Sequence, residues 1–391
     1  MFQIKYEEKD WRTGMKVTIV NCFDTNRDRV DLIYDYFKEK SYEVTVIESD
    51  FHHGRKEKKD ITRDDFLFID TLPYKRNLSV GRLKSHDDFS KKAIQLAADL
   101  QPDILYVMFP PNSLMKYASA YKAKNPQVKL IADIIDLWPE SMPVPGSLKK
   151  LFVFKMWANI RNKHLAKADL VLTECHYYYD VLKKYIGQTE TGTLYLAQDS
   201  IPYEGEKPVQ LSQENFDICY LGSINNIIDI EFISELIKKM SAVKKVRLHI
   251  IGDGESREEF IQSSERAGAE VLYHGKIYDT REKQAIFDQC YFGLNIMKET
   301  VSIGLTTKSI DYFNAGLPII NNIKHDTVKL VDQYGIGINI TRDLDNVPEI
   351  MNESIALNEQ RRTKVKEIFE QYFSRAAFYE QLQVLLRKID I

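Results

Sequence analysis

The chain has 391 residues, 44% hydrophobic and 28% charged, with a formal net charge of −3. That length exceeds one ordinary core and suits two α/β domains of roughly 150–200 residues each, while the balanced charge provides no global attraction to nucleic acid. No stretch approaches the roughly 20 apolar residues that span a bilayer, and the first residues lack a signal-peptide core. Cys22, Cys175, Cys219 and Cys290 stand far apart, in or beside apolar runs. Buried, reduced thiols and a cytoplasmic setting are the expectation.

The segment 1–14 precedes the first clear strand and is assigned no role. Strand-like apolar runs then follow near Lys16–Asn21, Glu43–Glu48, Phe66–Asp70, Asp103–Met108, Val128–Ile134 and Leu170–Thr173. Helix-period segments such as Asp31–Lys40 and Phe89–Leu100 lie between most of them, the alternation of βαβ units in a parallel sheet. Asp199–Asn215 is polar, holds two prolines and reads as an interdomain linker. A second alternation starts at Phe216–Leu221 and continues at Val246–Ile251, Val271–His274, Phe292–Ile296 and Pro318–Asn321; Glu359–Ile391 is helix-rich. The expected fold is therefore α/β, with two doubly wound Rossmann-like domains facing a cleft. These are an N-terminal domain over 15–200, a C-terminal domain over 205–370, and a closing helix over 371–391 that packs back on the first domain. Ligands in such folds sit at the carboxyl ends of the strands.

The most informative stretch runs from Gly304 to Ile320 (GLTTKSIDYFNAGLPII). Gly304 and Leu305 lead into a helix start where Thr306 and Thr307 offer caps and Lys308 offers a cation, an arrangement suited to phosphate. Asp311 follows one turn later, where a carboxylate can accept hydrogen bonds from a sugar or ribose diol. Gly316 ends the helix and Pro318 opens the next strand. The same run also reads as a capped amphipathic helix with ordinary surface charges, and residue chemistry alone does not choose between the two.

This run resembles the donor-site motif of the family-4 glycosyltransferases, in the branch reading Pro/Thr-Lys-x-x-Glu/Asp-Tyr-x-x-Ala-Gly-x-Pro. The resemblance implies a GT-B fold, with 15–200 as the acceptor-binding domain and 205–370 as the nucleotide-sugar-binding domain. It also implies that Asp311 holds the ribose hydroxyls and that the helix start near Gly304–Thr307 faces a diphosphate. One departure concerns the acid the family usually carries eight positions earlier, against the donor sugar. Ile303 stands there, with Glu299 four residues further upstream.

Other segments align in order. Tyr220-Leu-Gly222-Ser223-Ile-Asn225 resembles the family's glycine-bearing turn after the first donor-domain strand, although a plain βα turn would also use Gly222. Many members have a basic residue just after that glycine. Here it is Ser223, and phosphate neutralisation falls to Lys308, Lys298 or helix-start amides. The glycines of Gly252-Asp253-Gly254 read as structural. Val271–Ile277 resembles the strand and turn whose backbone meets the nucleobase, at Lys276 or Ile277.

In the first half, Asp133-Ile-Ile-Asp136-Leu-Trp138-Pro139-Glu140-Ser141 is similar to a segment of a polysaccharide-assembling branch of that family. Asp136 and Glu140 are the candidates for acceptor or sugar contacts and general-base work, against the plainer reading of a helix entry with Trp138 in the core. Residues 148–167 carry six Lys/Arg and no acid, interleaved with Phe152, Phe154 and Trp157. That composition suits an anionic membrane surface; a helix with its apolar side in the core and its lysines solvated is the plainer account, and the one preferred. His176 reads as structural, and Asp343-Leu-Asp345 as a solvated turn rather than a metal site. No metal or cofactor is expected.

The resemblance implies a hexosyltransferase using a nucleotide-sugar, with a UDP-sugar favoured, and a glycan or lipid-linked acceptor in cell-surface polysaccharide synthesis, with retention of configuration. The alternatives are a catalytically silent glycosyltransferase-like partner, a nucleotide-sugar epimerase of the same architecture and, last, a nucleotide-binding regulatory protein.

Overall fold

The buried apolar runs assemble into two separate parallel sheets in a computed structural model, which describes residues 14–391 except 60, 143, 145, 150, 202–208 and 210. The N-terminal extension up to residue 13 and most of the linker lie outside the described residues. The first half contributes β1 (Lys16–Asn21), β2 (Glu43–Ser49), a small antiparallel hairpin of β3 (Phe51–His52) and β4 (Glu57–Lys58), β5 (Phe66–Ile69), β6 (Ile104–Phe109), β7 (Lys129–Ile134), β8 (Leu170–Thr173) and β9 (Glu190–Thr193). Its large sheet has the order β5-β2-β1-β6-β7-β8-β9. The second half contributes β10 (Asn215–Leu221), β11 (Lys245–Ile251), β12 (Ala269–Gly275), β13 (Phe292–Asn295), β14 (Ile319–Asn321) and β15 (Gly337–Asn339), in the order β12-β11-β10-β13-β14-β15. Central strands such as β6 are buried along their whole length, because helices cover both faces of a parallel sheet.

Two strands depart from the sequence-based expectation. β9 is polar (Glu-Thr-Gly-Thr) and β15 is three residues long, so neither carries an apolar run. Each is an edge strand completed by its neighbours. The Thr193 carbonyl accepts from Gln381 Nε2 at 2.7 Å and the Thr191 carbonyl from Lys388 Nζ at 2.8 Å. Gly192 leaves room for Leu385, whose Cδ2 would lie 2.0 Å from an added Cβ.

Gln381 and Leu385 belong to the last helix, Arg375–Arg387, and Lys388 is its C-cap. This helix follows the long helix Val347–Tyr372, and its Phe378, Leu382, Leu385 and Leu386 join the core built by Val17, Ile33, Val46 and Leu172. The first described strand and the last helix thus both pack in the first domain. Near the crossover, Gln198 pairs with Ser374, and Arg375 bonds Asp199 (2.5 and 3.1 Å) and Asp35 (3.0 Å). In each sheet the topology reverses beside the first strand, between β1 and β6 and between β10 and β13. The carboxyl ends there are where an open α/β sheet holds its ligand.

Candidate functional site

On the second sheet a ladder of asparagines prepares the helix start. Asn321 links Asn295 (2.9 Å) and Asn339 (2.8 Å) across the ends of β13, β14 and β15. Asn295 Oδ1 then accepts from Thr306 Oγ1 at 2.9 Å. Thr306 is the N-cap of helix Thr307–Asn314, its side chain accepting from the Ser309 amide at 3.2 Å. A capping threonine whose own hydroxyl is anchored aims the first-turn amides in one direction, the geometry that favours an anion.

Lys308 is half-buried, with Nζ 4.4 Å from the Tyr220 ring centroid and 3.4 Å from its hydroxyl. Among the described residues no carboxylate pairs with it, and burial lowers its ammonium to about 7. Asp311 accepts from Gln198 Nε2 at 3.2 Å, with Lys283 Nζ at 4.0 Å. Burial raises its carboxyl above the ordinary value, against the pull of the Lys283 charge.

The turn after β10 lies beside this helix. Gly222 has φ +119°, and nothing lies within 4 Å of where its Cβ would be, so its left-handed backbone presents an open face. Gly252 and Gly254 are structural, since an added Cβ would meet the Gly222 and Ile224 carbonyl oxygens at 1.9 and 2.1 Å. Ser223 is exposed. Asn225 is engaged in a local turn, accepting from the Ile227 amide at 3.1 Å. Lys276 is exposed and Ile277 packs against the interdomain core. Lys298 and Glu299 are exposed on the loop before the helix.

Gly304 and Leu305 are buried at the junction of the two halves. A Cβ on Gly304 would meet Asp326 Oδ2 at 2.5 Å and Cys175 Sγ at 2.7 Å, so packing against the first domain sets its size. Asp326 is the centre of that junction. Its carboxylate accepts from the backbone amides of His176 (2.8 Å) and Tyr177 (2.9 Å) and from the Tyr195 hydroxyl (3.0 Å). It therefore caps helix His176–Ile186 of the first domain, whose own N-cap, Cys175, makes no side-chain cap. Tyr177 also bonds Ser302 (2.6 Å) and stacks on His325 at 3.9 Å. His176 itself bonds Thr193 at 3.0 Å, a structural placement.

On the first sheet, Asp136 and Glu140 follow β7. Asp136 accepts from the Ser141 hydroxyl, and burial raises its carboxyl to about 6. Glu140 is held by the buried Arg161 at 2.7 Å, whereas among the described residues Asp136 has no cation at ion-pair distance. Sequence reasoning missed Glu174, directly after β8. Among the described residues its side chain has no hydrogen-bond partner. Burial raises its carboxyl to about 8 against the pull of Arg29, with Asp136 and Asp133 adding to the rise. The available signal was an acid ending the apolar run Leu170–Leu172, at a strand's carboxyl end. Beneath both acids, Arg29 and Asp133 form a fully buried two-pronged pair at 2.7 and 2.8 Å.

The basic segment departs from the preferred account. Helix Phe152–Asn162 buries Trp157, Ala158, Arg161 and Asn162. Phe152 (76% exposed), Val153, Met156 and Ile160 face outward beside the exposed Lys155, Lys163 and Lys167. Among the described residues no helix is long and apolar enough to cross a membrane. Asp343 and Asp345 lie in an exposed turn, with Asp345 paired to Lys239 at 2.8 Å.

No protein-family model matches the chain, and no curated protein matches it. Solved structures do. HepE of Anabaena, in complex with UDP and glucose, is 14% identical with a TM-score of 0.63, covering 95% of this chain and 99% of that one. Sucrose-phosphate synthase of Thermosynechococcus elongatus is 12% identical with a TM-score of 0.70, covering 96% and 99%. The lipopolysaccharide outer core galactosyltransferase WaaB is 14% identical with a TM-score of 0.66, covering 95% and 99%. At these identities the likeness defines the fold: the chain has the GT-B architecture of two Rossmann-like domains.

Proposed function

We propose that this protein is a glycosyltransferase that moves a hexosyl unit from a nucleotide-sugar, with a UDP-sugar favoured, to a glycan or lipid-linked acceptor in cell-surface polysaccharide synthesis, with retention. The observation that carries the reading is Lys308, a half-buried ammonium without a carboxylate, at a capped helix start beside the open face of Gly222. A diphosphate supplies the counter-charge that this site lacks, and the helix-start amides and Lys308 then stabilise charge developing on the leaving group. Asp311 is the ribose contact, and Lys276 and Ile277 offer backbone to the base. Ser223, Asn225, Lys298, Glu299, Gly304, Leu305, Thr306 and Thr307 shape the rest of the donor side. Asp136 is the general-base candidate, and Glu140 orders the turn that carries it. The likeness to HepE, solved in complex with UDP-glucose at a TM-score of 0.62, supports the choice of donor.

Calorimetric titration with UDP and with GDP tests this. Binding of one nucleotide is expected, weakened about tenfold or more in Asp311→Ala, as for loss of a charge-assisted hydrogen bond. Intact protein that binds neither nucleotide would favour the silent-partner reading, to which Ile303 lends its weight.

The outward side chains of helix Phe152–Asn162, with Lys155, Lys163 and Lys167, support a peripheral contact with an anionic inner-membrane surface from the cytoplasmic side. The protein is expected to co-sediment with phosphatidylglycerol-containing vesicles and not with phosphatidylcholine ones, and Phe152→Asp/Met156→Asp is expected to abolish it. Equal sedimentation of that variant would remove the contact.

A further inference from the structure

Five segments meet at the carboxyl edge of the first sheet, beside Asp136. They are the turn after β1 with Phe23 and Asp24, the β3–β4 hairpin with His53 and Lys56, Tyr74, the start of helix Val80–Leu100 with Arg82 and His86, and Trp138 after β7. Arg82 is 5% exposed. Its guanidinium lies 4.0 Å from the Trp138 ring centroid, 5.5 Å from Tyr74 and 5.7 Å from Phe23. Its hydrogen bonds go to His86 Nε2 (3.3 Å) and the Asn77 carbonyl (3.1 Å), both neutral acceptors.

Among the described residues no carboxylate lies within ion-pair distance of Arg82 or Lys56. Lys56 Nζ converges on the cluster, 4.4 Å from the Tyr74 centroid and 2.6 Å from Asn77 Oδ1. The two histidines add no charge, since burial lowers His53 to about 4 and His86 well below its ordinary value. The nearby acids are engaged elsewhere. Asp24 accepts from the His53 amide at 3.1 Å and lies 3.1 Å from His52 Nδ1, and Asp136 accepts from Ser141. Aromatic faces compensate a buried guanidinium only in part; its planar edge is built for a carboxylate or phosphate.

We propose that the Arg82–Lys56–Trp138 cluster binds an anionic group, carboxylate or phosphate, of the sugar acceptor. The word acceptor rests on the transferase reading. The anion binding does not, so the two fail separately.

The test is tryptophan fluorescence of the full chain, with Trp138→Phe identifying the reporter, during titration with glucuronate, farnesyl phosphate or glucose, each with saturating UDP present. UDP affinity is measured beside it and reports the donor site alone. At least one anion is expected to give a saturable change while glucose gives none; glucuronate alone would point to an acidic glycan and farnesyl phosphate alone to a lipid carrier. Arg82→Gln and Lys56→Gln are each expected to weaken that binding about tenfold or more, as loss of a charge-assisted contact does, and to leave UDP affinity unchanged. Lys56, at the rim, serves if Arg82→Gln fails to fold. The proposal is overturned if neither anion gives a saturable change, if glucose responds equally, or if folded variants bind the anion as the parent does.

Discussion

Arg29→Met is expected to destabilise the first domain by about 3–5 kcal/mol, the usual cost of stranding one member of a buried ion pair. Arg29 is 1% exposed and Asp133 0%. The guanidinium also donates to the Leu194 carbonyl at 2.9 Å and lies 5.5 Å from the Phe378 ring of the closing helix. One substitution therefore loosens β7, the segment after β9 and the last helix together. Thermal unfolding followed by circular dichroism should show a midpoint lowered by roughly 6–20 °C, given 2–4 °C per kcal/mol for a domain of this size. Replacing both partners, Arg29→Met with Asp133→Leu, should recover much of the loss, because the desolvation penalty leaves with the charges. Recovery is incomplete, since the Tyr106 hydroxyl loses its 2.7 Å acceptor on Asp133. A single variant within 1 kcal/mol of the parent, in the ordinary range for harmless substitutions, would contradict this account.

Lys308→Ala should weaken binding of a UDP-sugar by roughly 10- to 150-fold, the range for a hydrogen bond to a charged group. The pH profile separates this cause from general damage. In the free protein burial lowers the Lys308 ammonium from its ordinary 10.5 to about 7. A diphosphate binds the charged form and raises its pKa, so binding takes up a proton at neutral and mildly alkaline pH. Affinity should hold below about pH 6.5 and fall as pH rises towards 9, by at most tenfold per unit for a single proton. Calorimetry in two buffers of different ionisation heat counts the proton directly. Lys308→Ala should lose both the slope and the buffer dependence. A parent protein with a flat profile would show that Lys308 does not meet the diphosphate.

Much of the architecture is local in origin and was legible. Apolar runs located the strands from β1 to β14, apart from the short hairpin and β9, within one or two residues at most ends. The helix start was legible for the same reason: Thr306 caps it from inside the motif, and Gly316, at φ +70°, ends it. Helix Val80–Leu100 was recognised only from Phe89 onward, because its first turns bear Arg82, Lys84 and His86 rather than an apolar stripe.

By itself, then, the sequence determined two α/β units, the order of their strands along the chain and a capped, lysine-bearing helix start in the second. Capping and periodicity act over a few residues, so they can be read from neighbours. Tertiary structure alone decided the rest. Asp326 caps a helix 150 positions away in the other domain, and Arg29 finds Asp133 across 104 positions. β9 becomes a strand because the last helix covers it. Glu174 becomes a raised, unbonded acid only because the fold buries it, with Asp136 and Asp133 nearby adding to the rise. Helix Phe152–Asn162 carries apolar residues on two faces, and its periodicity could not say which would be covered. A pattern encodes a face, and only the assembled fold supplies, or withholds, the surface that meets it.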